Sequence, residues 1–220
     1  MISSGDKEYL ETKAIKKGLK QLESPFSDLA ERIKAEFGVR PLNIMYDILP
    51  HNKQPRLQII FEWHKDTIAF KSENGLFFDT TKQESVTNTV NDLIQKYPDY
   101  SADNLLVIFN AFEPIAREEA NRNISNEKLE KLKEDMNSGD IWQIKRSFST
   151  GIFFFYTEEQ LKKNDNDLTK NKFKTAYLKL LKESDEFGYI YEANFSIKLD
   201  SKENFDKNYQ SNWFYYYKDN

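Results

Sequence analysis

LNIMYDILPHNKQPRLQIIFEWHKDTIAFKSENGLFF, residues 42–78, is the stretch that decides the fold class. Leu42, Ile44, Tyr46 and Ile48 alternate with Asn43, Met45 and Asp47. After the connection Pro50–Pro55, Leu57, Ile59, Phe61 and Trp63 alternate with Gln58, Ile60, Glu62 and His64. A period of two puts each set on its own face of a strand, one apolar and one mostly polar. Pairing the strands symmetrically about the connection sets Asp47 opposite Gln58 and Asn43 opposite Glu62. Ile68 and Phe70, an Asn74-Gly75 turn and Leu76 to Phe78 extend the pattern into an antiparallel meander over residues 41–79.

The meander is flanked by helices. Residues 6–37 read as two, and the second is the clearer: Ser24 as N-cap, Pro25 in the first turn, then Phe26, Leu29, Ala30, Ile33 and Phe37 on one face, with Gly38 as stop. Ser85 opens another helix, with Val86, Val90, Leu93, Ile94 and Tyr97 as its stripe. Beyond it, Leu105 to Phe109 is apolar on both faces, the pattern of a central strand. Ser125 caps a helix through Leu129, Leu132 and Met136. Trp142, Ile144 and Phe148 alternate, Ser149-Thr150-Gly151 reads as the turn, and Ile152 to Tyr156 is a second fully apolar strand. Thr157 and Gln160 match a capping box, Lys162 to Thr169 reads as a loop, and Phe173 to Leu181 as a helix. Alternation from Tyr189 to Leu199 predicts a long strand, and Trp213 to Tyr217 a last one.

Together these predict an α+β fold with about seven to nine strands, in a mainly antiparallel or mixed sheet covered by amphipathic helices. Linker signals are weak, so residues 1–220 read as one domain, with the best candidate boundary at 98–103 disfavoured. Helix, hairpin, helix and strand follow one another in both halves, the pattern of a weak internal duplication, although no residue-level repeat accompanies it.

Composition narrows the chemistry. Basic and acidic residues number 32 and 36, a formal charge of −4, and no segment is strongly basic, so no nucleic-acid partner is indicated. With 0 Cys, disulfides, zinc–thiolate sites and thiol nucleophiles are excluded. No leader-like or membrane-spanning run stands out, which sets the expectation of a cytoplasmic protein. Abundant Lys, Asn, Asp, Phe, Tyr and Ile give it the character of an AT-rich bacterial coding sequence.

Only His51 and His64 are available, too few and too far apart for a metal site of their own. Metal-dependent nucleases place an acid and an acid-x-Lys on adjacent strands. Here Asp47 is followed by Glu62-Trp63-His64, and Asp140 by Gln143-Ile144-Lys145, so both depart from that pattern. Neither a nucleophile elbow nor a phosphate-binding loop is present. No catalytic residue, cofactor or metal is therefore expected. Two surfaces are candidates for contact with a partner: the polar strand face with Asp47, Gln58, Glu62 and His64, and the aromatic C-terminus with Trp213, Tyr215 and Tyr217. The expectation is a non-enzymatic binding protein with a protein partner, most concretely an immunity-type protein that neutralises a toxin domain. The alternative is a small-molecule binder or an enzyme with an unrecognised site, a degenerate nuclease being the nearest class.

Overall fold

In the computed structural model, which describes residues 2–136 and 139–219, contacts gather the chain into two units, the first ending at Ile115 and the second beginning at Ala116. Unit 1 opens with helices α1 (Lys7–Lys16) and α2 (Phe26–Phe37). The alternating stretch then makes the hairpin β1 (Asn43–Ile48) and β2 (Pro55–Phe61). Helices α3 (His64–Ile68) and α4 (Thr80–Ile94) follow, and β3 (Leu106–Ala111) returns parallel to β2. Its sheet has the order β1-β2-β3. One face carries Ile44, Leu57, Ile59, Phe61, Val107 and Phe109, which pack on Leu29 and Ile33 of α2, Val86 and Val90 of α4, and Phe70. The stretch 98–103 belongs to this unit, where Tyr100 meets Phe26 and Tyr46 edge-on.

The hairpin is real, but its register is tighter than symmetry implies. Asp47 faces Arg56, Met45 faces Gln58 and Asn43 faces Ile60. Leu49 N–H donates to Gln54 O at 2.9 Å, and Lys53 turns the loop with φ 57, so pairing runs out to Ile48 and Pro55. The third meander strand does not form. Thr67 and Phe70, three apart, are buried while Ile68 is exposed, a helical spacing, and one isolated Lys71–Phe78 bridge remains. Helix α4 starts at Thr80 rather than Ser85, because Asp79 accepts from Lys82 N–H and caps it. Leu105 to Phe109 is an edge rather than a centre. Gln83 Nε2 donates to Val107 O at 2.6 Å, so part of that edge is occupied by a side chain.

Helix α5 (Glu113–Arg122) spans the division between the units. Unit 2 continues with α6 (Asn126–Asp135), β4 (Ile141–Ser147), β5 (Thr150–Phe155), α7 (Glu158–Asn164), α8 (Asp167–Ser184), β6 (Ser196–Ser201), α9 (Lys202–Tyr209) and α10 (Trp213–Asp219). Its sheet has the order β4-β5-β6, so the phenylalanine strand is central, and Gly151 to Phe155 are all buried. Ser125 caps α6, and Thr157 with Gln160 forms the complete capping box at α7. On one face Ile144, Phe153 and Phe155 pack on Leu129 and Leu132 of α6 and on Phe173, Tyr177 and Leu181 of α8.

Four expectations change in this unit. Lys162 to Thr169 is nearly all helix: α7 runs to Asn164, and Asn166 caps α8 by accepting from Thr169 N–H at 3.0 Å. The long strand shrinks to Ser196–Ser201, because Asn194 folds the preceding segment, bonding Tyr189 O at 2.7 Å and Tyr191 N–H at 2.9 Å. The hairpin turns at Phe148 and Ser149, with Ser147 paired to Thr150, so Gly151 lies inside the strand. The C-terminal aromatics form a helix. Asn212 Oδ1 accepts from Phe214 N–H at 2.8 Å, and Trp213 and Tyr216, three apart, share the inner face. The described strands are thus six in two mixed sheets, not seven to nine in one.

The two units share one topology: a helix, an antiparallel strand pair, a short and a long helix, and a strand parallel to the middle one. Their registers match too. Ile44 pairs Ile59 as Ile144 pairs Phe153, and Phe61 pairs Ala111 as Phe155 pairs Ser201. Two residues beyond those phenylalanines, Trp63 and Thr157 stand at the N-caps of α3 and α7. The units differ in what covers the second sheet face, and that difference positions the candidate surfaces.

Candidate functional site

In unit 1 the second face is covered by α1. The spacing of Glu8, Thr12 and Lys16 places them on one stripe, and each meets a polar strand residue. Gln58 Nε2 donates to Glu8 Oε1 at 2.7 Å, Asn43 Nδ2 to Thr12 Oγ1 at 3.0 Å, and Lys16 Nζ to Glu62 Oε1 at 2.7 Å. Asn43 Oδ1 also accepts from Ile44 N–H, and Thr12 Oγ1 donates to Glu8 O, so the buried polar atoms of this seam are satisfied. Arg56 grips Asp47 with two nitrogens and approaches Glu8 at 3.5 Å. The hydrogen bond to Asp47 raises the Arg56 pKa, against an opposing contribution from burial.

The polar cluster predicted at Asp47, Gln58, Glu62 and His64 is therefore largely a seam between a helix and a sheet. Gln58 is buried, Asp47 is tied to Arg56 and Glu62 to Lys16. His64 stands apart on the exposed start of α3, where its backbone N–H donates to the buried Glu113 carboxylate at 3.2 Å. Among the described residues, no three His, Cys, Asp or Glu side chains are grouped to hold a metal ion. No helix of the described chain is long and apolar enough to cross a membrane.

In unit 2 the second face is aromatic. Ile152, Phe154, Phe205 and Tyr216 are its buried centre, with Trp142, Tyr209 and Trp213 packed around them. Trp213 stacks on Phe205 at 4.1 Å between centroids and on Trp142 at 6.2 Å. Tyr216 donates to Asp200 Oδ2 at 2.5 Å, and Asp200 Oδ1 accepts from Ser201 N–H and Asn204 Nδ2. Burial first, and then the Asp200 carboxylate, push the Tyr216 hydroxyl pKa up. Lysines lie over the rings: Lys145 at 4.8 Å from the Trp213 centroid, Lys198 at 5.3 Å from Tyr216 and Lys202 at 5.4 Å from Trp142. Burial, followed by repulsion from Arg146, lowers the Lys145 pKa.

Of the three aromatic residues singled out in the sequence, Trp213 anchors α10 inward, while Tyr215 is exposed and Tyr217 lies at the rim, stacked on Trp213. Sequence reasoning missed Phe214, which is 71 % exposed beside Tyr215. Helical spacing would have found it, since Trp213 and Tyr216 inward force Phe214 and Tyr215 outward.

A second aromatic feature was also missed. Phe148, at the tip of the β4–β5 hairpin, is 70 % exposed and has φ 46, a left-handed backbone that L-residues adopt at a cost. Beneath it, the buried Asn121 donates to Phe148 O at 2.6 Å and accepts from the Tyr177 hydroxyl at 2.6 Å. The Tyr177 ring lies so close to Gly151 that a Cβ there would come within 2.7 Å of it. Compared with protein-family models, curated proteins and solved structures, the chain matches none.

Proposed function

We propose that this chain is a non-enzymatic bacterial binding protein of the cytoplasm, acting through a surface, and most concretely an immunity-type protein that occludes a cognate toxin domain. The observation that carries the reading is helix α10. Its inner rings, Trp213 and Tyr216, fix it to unit 2, and its outer rings, Phe214 and Tyr215, face solvent. A surface helix usually turns a polar face outward, so rings on both sides favour a face that another protein covers. Aromatic anchors of this kind dominate protein interfaces. The carboxylates of unit 1 favour an enzyme less, because Asp47 and Glu62 are spent on Arg56 and Lys16. We read the shared topology of the units as an old duplication, in which the second copy replaced the polar α1 seam with an aromatic cover.

Co-expression tests the reading. The chain should restore growth to cells producing the toxic domain encoded beside it and should co-purify with that domain. The double variant Phe214→Ser, Tyr215→Ser should fold normally and fail to rescue. Failure of the unaltered chain to rescue or to co-purify would count decisively against the immunity reading.

A further inference from the structure

We infer that the β4–β5 hairpin tip is a second, rigid anchor for the protein partner proposed above. Phe148 enters an apolar pocket of that partner, and a carboxylate from the pocket's rim enters the recess beside Phe148. The inference rests on the binding reading and adds to it the residue and the chemistry of recognition.

Three observations carry it. The first is the turn residue. Phe148 occupies a left-handed position that glycine or asparagine would hold with less strain, and it leaves its ring 70 % exposed. Among the described residues, the other non-glycine positions with positive φ are Lys53, Asn104, Gln210 and Ser211, none of them a bulky ring. An outlier of this kind, with no packing in return, points to function.

The second is the support under the tip. Asn121, 1 % exposed, ties Phe148 O and Thr150 O to the Tyr177 hydroxyl. Ser196 holds the other side, its backbone N–H on Ser149 O at 3.3 Å and its hydroxyl 2.8 Å from that of Thr150. A ring on a fixed tip loses little freedom on docking.

The third is the recess itself, about 320 Å³, lined by Glu118, Asn121, Arg122, Arg146 and Phe148. Two guanidinium groups face one carboxylate there. Arg122 pairs with Glu118, whereas Arg146 donates to uncharged acceptors, Arg122 O, Ile124 O and Asn126 Oδ1. The net positive charge is complementary to an acidic rim. A single exposed ring beside a recess that also holds the Glu118 carboxylate fits a protein pocket better than an anionic lipid surface.

The test is calorimetric titration of the purified toxic domain encoded beside this chain against the full-length protein and its variants. Phe148→Asn should bind at least about 30-fold more weakly, the loss expected for an interface hot spot. Its Tm should stay level or rise, because asparagine tolerates the turn. Phe148→Gly should behave alike. Leu168→Ser, which removes an apolar side chain 83 % exposed elsewhere on the unit, should bind as the unaltered protein does. Unchanged affinity in both Phe148 variants overturns the anchor and leaves the binding reading standing. No binding by the unaltered protein overturns both. Sedimentation with phosphatidylserine vesicles that is lost in Phe148→Asn would mark a lipid contact and overturn the protein pocket.

Discussion

Gly151→Ala should be among the most damaging single-methyl changes in unit 2. Gly151 lies within β5, and its φ is not positive, so alanine meets no backbone penalty there. On propensity alone the change should stabilise the strand by about 0.5–1 kcal/mol. The added Cβ, however, would stand 2.7 Å from Cε1 and Cζ of Tyr177. That ring cannot retreat cheaply. It is 0 % exposed, packs edge-on against Phe153, and its hydroxyl is bonded to Asn121. Overpacking a rigid core costs about 1–3 kcal/mol, and loss of the buried hydroxyl bond about 1 kcal/mol more. The net expectation is a loss of about 1–3.5 kcal/mol. Urea unfolding followed by tryptophan fluorescence measures it, because Trp142 and Trp213 both report on unit 2. The double variant Gly151→Ala, Tyr177→Leu should lose less than the sum of its single changes, since the two sites share one contact. Should Gly151→Ala prove as stable as the unaltered protein, the close approach of Tyr177, and with it the fixed hairpin tip, would be refuted.

Three further outcomes are expected. Tyr216→Ala should cost about 3–5 kcal/mol, as removal of a core aromatic does, and deletion of residues 213–220 should expose Phe154 and Phe205 to water; an unchanged Tm in either would show that α10 is not core. Alkaline unfolding should involve Tyr216. Its folded pKa is raised above the ordinary 10.0, so its contribution is complete below that pH and fades as pH climbs beyond it; Tyr216→Phe should flatten the decline measured by circular dichroism. Thr12→Val should leave the Asn43 amide without its acceptor and cost about 1–3 kcal/mol, with faster hydrogen exchange in α1 as the accompanying sign.

Much of the fold was legible because it rests on local periodicity. The β1–β2 hairpin, the buried β5 strand, the capping box at Thr157 and the Ser125 cap all follow from residues near one another in sequence. What failed depended on partners far away. Ile68 and Phe70 alternate as strand residues do, yet Glu113, 49 residues on from His64, accepts the His64 backbone N–H at the start of α3. Trp213 to Tyr217 has the β-rich composition of a strand, and the inner face of α10 is chosen by Phe154 and Phe205. The inner stripe of α1 is polar, so apolar periodicity does not mark it, and its meaning appears only when Asn43, Gln58 and Glu62 are brought against it. The shared topology was hidden for a related reason. Matching registers are kept by Ile44 and Ile144, Ile59 and Phe153, and Phe61 and Phe155, which are merely apolar, while Gln58 and Ile152 took opposite characters on the other face.

The β4–β5 turn shows most plainly why the candidate site was harder to read than the fold. A glycine after Ser149-Thr150 reads as the turn, because glycine is the residue that tolerates a left-handed backbone. Here the roles are exchanged. Gly151 is in the strand, where its missing side chain lets Tyr177 approach, and Phe148 takes the left-handed position. Stability alone would place glycine or asparagine at 148. The departure from that rule is visible only once Tyr177 and Asn121, distant in sequence, are seen beneath the tip, holding an exposed ring where packing gives it no reason to be.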